Sequence, residues 1–210
     1  KDTVLMSHFA DAEAPDSPLT ERQLSRWNEL TASSKDTSFS NSAATTGQIS
    51  ARENWIRLGY SLYGGSLVTL PEPCRLKPVM CFESCIASVR SIESGESVGY
   101  GGRWVANRPS RIATIPAGYG DGYPRAARDG TPIGSEHGVI PMVGKVSMDM
   151  VTADITDIPE LDVGSPVTLW GGTPTIDTVA AHCDTIGYEL CTRITRRAPR
   201  QFHPDTGHQD

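Results

Sequence analysis

The sequence predicts an α/β region followed by a mainly antiparallel β domain. Its first sixty residues alternate strand-like apolar runs with an amphipathic helix, the order of elements found in parallel α/β structures. Residues 67–75 contain two prolines and interrupt both periodicities, so a linker is expected there. Beyond it, short apolar runs separated by Gly, Pro, Asp and Asn are typical of antiparallel β domains. The predicted organisation is an α/β part over 1–66, the linker, a β domain over 76–202 and a polar tail over 203–210.

In the first region, the apolar run over residues 4–10 predicts a strand. Thr20 and Gln23 have the spacing of a capping box, which predicts that a helix begins at Thr20. That helix continues through apolar residues three apart: Leu24, Trp27 and Leu30. Three further pieces follow: a strand over 37–40, a turn over 41–44 and a strand over 55–58.

In the second region, alternating apolar runs predict β-strands joined by Gly- and Asp-containing turns. The predicted strands are 79–89, 111–117, 139–146, 151–155 and 166–170. Two short helices, over 175–183 and 186–191, and a closing strand from Ile194 complete the predicted domain.

Composition excludes several classes of partner. Lysine and arginine total 19 against 25 acidic residues, a net charge of -6, so no broad basic surface is expected for nucleic acid or anionic lipid. No apolar stretch approaches the roughly 20 residues of a membrane span, and a cytoplasmic location is expected. The five cysteines are an odd number, which favours reduced thiols. No metal site is predicted, because Cys81 and Cys85 lack a second pair of ligands.

Two segments are more informative than the rest of the chain. Residues 115–125 run from an apolar strand into a Gly-Tyr-Gly-Asp-Gly turn, which predicts that the phenol of Tyr119 lies at a strand end, where reactive groups are common. Residues 143–150 follow about two dozen positions later and contain a Ser-Met-Asp sequence. A tyrosine in a glycine-rich turn is also commonly a packing residue, and the segment alone leaves both roles open.

Both segments resemble those of the bacterial alanine racemases, and the likeness extends from about Val4 to Gln201. That family joins an N-terminal (β/α)8, or TIM, barrel, which binds pyridoxal 5'-phosphate (PLP), to a C-terminal β domain. The resemblance implies that residues 1–66 are the last strands and helices of the barrel and that 76–202 are the second domain. It also implies that the chain begins within the fold, without the earlier part of the barrel.

The resemblance implies a PLP-binding set in the barrel part. Arg57 would face the pyridine nitrogen of the cofactor, where a guanidinium can only donate a hydrogen bond. His8 would orient Arg57. The phosphate contacts would be Ser42, the backbone amides of Gly59 and Tyr60, and the Tyr188 hydroxyl. Tyr60 stands where a smaller aliphatic residue is usual.

Each of these residues also has a structural interpretation when the sequence is taken alone. His8 fits a satisfied structural histidine and Arg57 an ion-paired strand residue. Ser42 fits a helix N-cap, a role compatible with phosphate binding. Tyr188 and Tyr100 fit ordinary amphipathic aromatics, and Tyr100 is assigned a structural role.

Racemisation at an α-carbon needs an acid/base group on each face of the substrate. The resemblance implies that Tyr119 is one of them, and that Met148, through its backbone, and Asp149 join it on the substrate side. The other family base is the lysine that holds PLP, in a motif that these 210 residues lack. Of the four lysines, Lys145 stands where an arginine usually lines the substrate entrance, and Glu13 stands where an aspartate is usual. The chain alone is therefore expected to be inactive.

The leading hypothesis is a PLP-dependent alanine racemase that interconverts L- and D-alanine, for D-alanine biosynthesis towards the cell wall or for alanine catabolism. The resemblance implies a homodimer whose site is shared between subunits, with a possible companion chain carrying the absent barrel half. Two alternatives stay open: a PLP racemase of other amino-acid specificity, and a non-catalytic dimerising fragment.

Overall fold

The structure, a computed structural model, describes residues 3–49, 51, 53–70 and 76–202, which form two compact units. The first unit runs to Phe82 and includes Trp170–Thr178, and the second contains Glu83–Leu169 and the residues from Val179 onward. Most of the predicted linker and all of the predicted tail lie outside the described residues.

The first unit is built on two short parallel strands joined by a helix. Strand β1 (Leu5–Met6) pairs with β2 (Thr37–Ser38), and α1 (Pro18–Leu30) connects them. A short helix, α2 (Ser42–Thr46), and a 3-10 helix (Tyr60–Tyr63) follow. The small apolar core consists of Phe9, Ala12, Trp27, Phe39, Ala43 and Ala44. Within it, the Phe39 ring stacks on Phe9 at 3.8 Å and on Trp27 at 4.7 Å between centroids.

Helix α1 begins earlier than the capping pattern predicts. Ser17 is the N-cap, because its hydroxyl accepts the N–H of Thr20 at 3.2 Å. Pro18 occupies the first turn, where its missing N–H is not needed. Gln23 does not close a capping box; its side-chain oxygen accepts the N–H of Ala10 at 2.9 Å.

The turn predicted at residues 41–44 is instead the start of α2. The Asn41 side chain accepts the N–H of Ala44 at 2.9 Å and caps the helix. Ser42 is therefore the first helical residue rather than the cap, and its hydroxyl is directed to other partners.

The strand predicted at 55–58 is reduced to one parallel bridge between Ser38 and Trp55. Beyond the bridge, the N–H of Arg57 donates to the carbonyl of Ser40 at 3.0 Å, and the chain then turns into the 3-10 helix.

From Phe82 onward the strands are antiparallel. They are β3 (Phe82–Cys85), β4 (Ser88–Ile92), β5 (Ser97–Val98), β6 (Trp104–Val105), β7 (Ser110–Ile115), β8 (Pro132–Ser135), β9 (Gly138–Pro141), β10 (Val151–Asp154) and β11 (Pro166–Trp170). One sheet has the order β10-β7-β4, another the order β3-β11-β8-β9, and β5 pairs with β6. Two helices follow, α3 (Ile176–His182) and α4 (Gly187–Arg193). The antiparallel β domain predicted from the sequence is confirmed.

Two strand predictions in this region need correction. The run over 79–89 is divided, because Ile86 donates to Ser165 while Ala87 donates to Thr114 on β7, so the chain changes sheets there. The closing strand predicted from Ile194 is wrong: no strand of the described chain includes it. Instead, the N–H of Thr195 donates to the carbonyl of Asp121 in a glycine-rich turn. Strands β5, β6 and β8 were not predicted.

None of the helices in the described ranges combines the length and apolar character that crossing a membrane requires. The longest, α1, has 13 residues.

Candidate functional site

Tyr119 lies in the turn that follows β7, and it is half-buried. Its N–H donates to the carbonyl of Ser147 at 3.0 Å, and the N–H of Gly120 donates to the carbonyl of Met148 at 2.8 Å. The two segments that the sequence singles out are therefore neighbours joined by backbone hydrogen bonds. We refer below to residues 118–122 as the tyrosine turn and to residues 147–149 as the Ser-Met-Asp loop.

Glycine is required where these two segments touch. A Cβ on Gly118 would lie 2.3 Å from the Met148 carbonyl oxygen, a distance that only the absence of a side chain permits. Gly122 has a φ of 110°, in the region that side chains disfavour. The glycine pattern thus fixes how closely the tyrosine turn approaches the Ser-Met-Asp loop.

The carboxylates beside Tyr119 are paired with one arginine. Arg197 Nη2 lies 2.5 Å from Asp149 Oδ1, and Arg197 Nε lies 3.3 Å from Asp121 Oδ1. The hydrogen bond to Asp149 and the charge of Asp121 raise the pKa of the Arg197 guanidinium. The second oxygen of Asp121 accepts the N–H of Gly118 at 2.9 Å. Asp149 is therefore the ion-pair partner of Arg197. The neighbouring Met148 is 52% exposed.

In the first unit, Arg57 and His8 are in contact. Arg57 Nη2 lies 3.3 Å from His8 Nδ1 and donates to the carbonyl of Ser7 at 2.7 Å. Arg57 Nη1 donates to the hydroxyl of Ser38 at 2.7 Å. On the other side of the imidazole, Asn41 Nδ2 lies 3.4 Å from His8 Nε2. The guanidinium is thus held against the ends of β1 and β2.

Ser42 gathers two backbone donors at the start of the 3-10 helix. Its hydroxyl oxygen accepts the N–H of Gly59 at 3.0 Å and the N–H of Ser61 at 3.3 Å. Ser42 is buried, and a Cβ placed on Gly59 would meet no atom within 4 Å. The Ser61 hydroxyl oxygen is also buried and has no hydrogen-bond partner within the part of the chain that the structure describes.

Tyr60 lies beside this cluster with its side chain turned into the protein. The ring is 4% exposed, and the hydroxyl donates to Asp177 Oδ1 at 2.5 Å. The other Asp177 oxygen accepts the N–H of Ser66 at 3.3 Å. The Tyr60 side chain is thus held by a buried hydrogen bond, which leaves only the Tyr60 backbone to serve a ligand.

Some predicted residues lie in separate units. Tyr188 is half-buried on α4, in the second unit, whereas Ser42 and Gly59 belong to the first. Lys145 and Glu13 are both exposed.

Two side chains brace the site segments by linking distant positions, and the sequence does not predict them. Glu53 accepts the N–H groups of Phe39 at 2.8 Å and Ser40 at 2.9 Å, and so fixes the end of β2. Arg197 joins Asp121 and Asp149 across 76 and 48 positions. The only available signal was charge complementarity in general, which selects no particular pair.

Comparison with known proteins connects both units to one family. Residues 2–67 match the model of the alanine racemase N-terminal domain, and residues 79–202 match that of the alanine racemase C-terminal domain. An alanine racemase of Chromohalobacter salexigens is 47% identical over 210 residues, which cover 98% of this chain and 58% of the relative.

Solved structures agree. The biosynthetic alanine racemase of Pseudomonas aeruginosa superposes with a TM-score of 0.91 at 42% identity, over 97% of this chain and 58% of that one. The alanine racemase of Bartonella henselae with covalently bound pyridoxal phosphate superposes with a TM-score of 0.83 at 29% identity, over 94% and 56% of the two chains.

These matches define a chain that combines part of a barrel domain with an antiparallel β domain. The chain belongs to the alanine racemase family. It spans a little more than half the length of the relatives that it matches.

Proposed function

We propose that this chain supplies Tyr119 as one of the two acid/base groups of a PLP-dependent alanine racemase. The observation that carries the proposal is the backbone pairing of Tyr119 and Gly120 with Ser147 and Met148, which places the tyrosine turn against the Ser-Met-Asp loop. Family membership supports the reaction, since the relatives named above are alanine racemases.

The residues of the first unit fit the phosphate group of PLP. The Gly59 and Ser61 amides donate to the Ser42 hydroxyl oxygen, and beside them the buried Ser61 hydroxyl lacks a partner among the described residues. A phosphate, with several acceptor oxygens, satisfies donors arranged in this way. The residues proposed to hold it are Ser42, the amides of Gly59 and Tyr60, and Tyr188.

Arg57 is proposed to meet the pyridine nitrogen, with His8 orienting it. PLP, when bound, supplies an electron sink that acidifies the α-carbon of the substrate. A permanently protonated guanidinium donates to the ring nitrogen and leaves it without a proton. Its contacts with Ser7, Ser38 and His8 hold the guanidinium in one orientation.

Tyr119 is proposed to move the proton on one face of the α-carbon. As a phenolate it removes the proton, and as a phenol it returns one. Neighbouring positive charge favours the phenolate form that this role uses. The lysine of the family's PLP motif would serve the opposite face. The Met148 backbone would face the substrate carboxylate.

The complete site is proposed to be shared between two copies of the chain, as the family resemblance implies. Met148 and Met150 are 52% and 46% exposed next to the half-buried Tyr119, so this surface is accessible to a partner.

The test joins the amino-terminal part of the Chromohalobacter salexigens racemase, which precedes the matched region, to this chain. We refer to the product as the chimera. We expect it to bind PLP, with a new visible absorbance band, and to racemise alanine. Tyr119→Phe should lower kcat by about 10²–10⁴-fold, the usual contribution of an acid/base group.

Tyr100→Phe is the matched control, because Tyr100 is a 69% exposed tyrosine of the same domain. It should leave kcat unchanged. A chimera that binds PLP but does not racemise alanine, or a Tyr119→Phe variant as active as the Tyr100→Phe variant, would overturn the proposal. Assays with other amino acids separate alanine from other substrates.

A further inference from the structure

Arg197 contacts both segments of the proposed site. Its guanidinium bridges Asp121, in the tyrosine turn, and Asp149, in the Ser-Met-Asp loop, at 3.3 Å and 2.5 Å.

The guanidinium also packs closely on the backbone of the tyrosine turn. A Cβ on Gly120 would lie 2.2 Å from Arg197 Nη1, so this group occupies the space that a side chain would fill. The residue before Tyr119 is held as well, because the N–H of Gly118 donates to the Asp121 carboxylate that Arg197 contacts.

The chain leading to Arg197 adds a third attachment. The N–H of Thr195 donates to the carbonyl of Asp121 at 3.0 Å, and the Thr195 hydroxyl donates to the carbonyl of Gly120 at 2.8 Å. The N–H of Arg197 in turn donates to the Thr195 hydroxyl at 3.3 Å. Residues 195–197 therefore hold Gly120 and Asp121 through Thr195 as well as through the Arg197 guanidinium.

Stability alone does not account for this arrangement. The Arg197 and Asp149 side chains are 49% and 57% exposed, so their ion pair contributes little to folding, and only the longer 3.3 Å pair, with Asp121 at 17% exposure, is more sheltered. Geometry is the larger effect, because a displacement of about 1 Å in a reacting group can cost about 100-fold in rate.

We propose that Arg197 is a positioning residue that fixes the Tyr119 phenol by clamping the tyrosine turn to the Ser-Met-Asp loop. The pairing also neutralises Asp149, whose carboxylate would otherwise repel an amino-acid carboxylate bound near Met148. This inference rests on the proposed function, namely that Tyr119 exchanges a proton with the substrate.

The test compares Arg197→Met with Arg108→Met in the chimera. Arg108 is the matched control, because it forms a 2.5 Å ion pair with Asp157 at 48% exposure, outside both site segments. Arg197→Met should lower kcat by about 10- to 100-fold with little change in KM, whereas Arg108→Met should retain the parent kcat. Arg197→Lys keeps the charge and should recover part of the loss.

Isotope effects distinguish positioning from general loosening. Both enantiomers are equally stable, so kcat/KM must fall equally in the two directions. Tyr119, however, serves only one face of the α-carbon. The kinetic isotope effect of α-deuterium substitution should therefore rise only for the enantiomer whose α-proton Tyr119 removes. Equal isotope effects in both directions, or an Arg197→Met variant as fast as Arg108→Met, would overturn the role of Arg197.

A second measurement uses the 210-residue chain itself. In Arg197→Met, and to a smaller extent in Thr195→Val, the amides of Tyr119 and Gly120 should exchange hydrogen faster, while β7 amides keep their protection. Unchanged exchange would contradict the clamp even if the chimera were inactive. Loss of the Tyr119 role would instead appear as full activity of Tyr119→Phe.

Discussion

Strand β1 leaves its apolar side chains exposed, whereas β7 buries its own. Leu5 and Met6 on β1 are 43% and 64% exposed, and Trp55, bridged to β2, is 58% exposed. On β7, Ile112 and Ile115 are completely buried.

Polar side chains hold the first unit in the regions that apolar packing leaves open. Arg57 ties the carbonyl of Ser7 to the hydroxyl of Ser38, and Glu53 accepts two amides at the end of β2. The proposed cofactor residues thus lie on a frame of hydrogen bonds, while Tyr119 follows a strand fixed by burial. Removal of polar groups should therefore damage the first unit, whereas truncation of buried apolar side chains should damage the sheet that contains β7.

The largest effect is expected from truncation in the buried sheet. Ile112→Ala should lower the free energy of unfolding by about 2–5 kcal/mol, because it removes three buried carbons and leaves a cavity. Leu5→Ala, at a partly exposed strand position, should cost less than about 1 kcal/mol. Urea unfolding followed by circular dichroism measures both, and an equal cost would contradict the contrast between the two strands.

A smaller effect is expected where the two site segments touch. Gly118→Ala would place a Cβ 2.3 Å from the Met148 oxygen and should cost about 1–3 kcal/mol through backbone displacement. Gly172→Ala is the control, because its Cβ would meet no atom within 4 Å. Thermal unfolding compares the two variants. Equal melting temperatures would mean that the segments can separate at no cost.

The sequence is sufficient for features that depend on neighbouring residues. The Gly-Tyr-Gly-Asp-Gly turn, both short helices and the antiparallel domain follow from local patterns. The start of α1 was missed because Ser17 and Thr20 both suit an N-cap, and only the packed structure selects Ser17. The predicted strand at Ile194 failed because Thr195 bonds to the turn at Asp121 rather than to a sheet.

Contacts between distant residues could not be predicted in the same way. The hydroxyl of Tyr60 reaches Asp177 across 117 positions, and Arg197 reaches Asp121 across 76. Nothing in the spacing of an acidic and a basic residue so far apart identifies them as partners. Resemblance to the family identified the residues proposed to bind PLP and the substrate. The structure identified the side chains that hold those residues in place.

In the first unit, removal of a polar group should act locally. Ser42→Ala deletes the acceptor shared by the amides of Gly59 and Ser61, which costs about 1–2 kcal/mol for a buried hydrogen-bonding group. Exchange of these two amides should become about ten-fold faster, as measured by hydrogen-deuterium exchange. Ser135→Ala, which removes an acceptor of the His137 amide in an exposed hairpin, should leave the exchange rates of the Gly59 and Ser61 amides unchanged. No change in Ser42→Ala would show that another group holds the 3-10 helix.

The smallest effect concerns alkaline pH and the buried interior of the second unit. Burial raises the pKa of the Cys183 thiol to about 11 from an ordinary value of 9.0, so the folded state keeps the proton that the unfolded chain releases first. The resulting stabilisation is complete below pH 9 and is lost as pH rises towards 11, with a loss on the order of 1 kcal/mol by pH 10. Cys183→Ala should flatten this decline in urea midpoints, whereas Cys85→Ala, which alters an exposed thiol, should retain it. If the two variants decline in parallel, the alkaline loss originates elsewhere, and the buried phenol of Tyr123, whose pKa burial also raises, is the next group to replace.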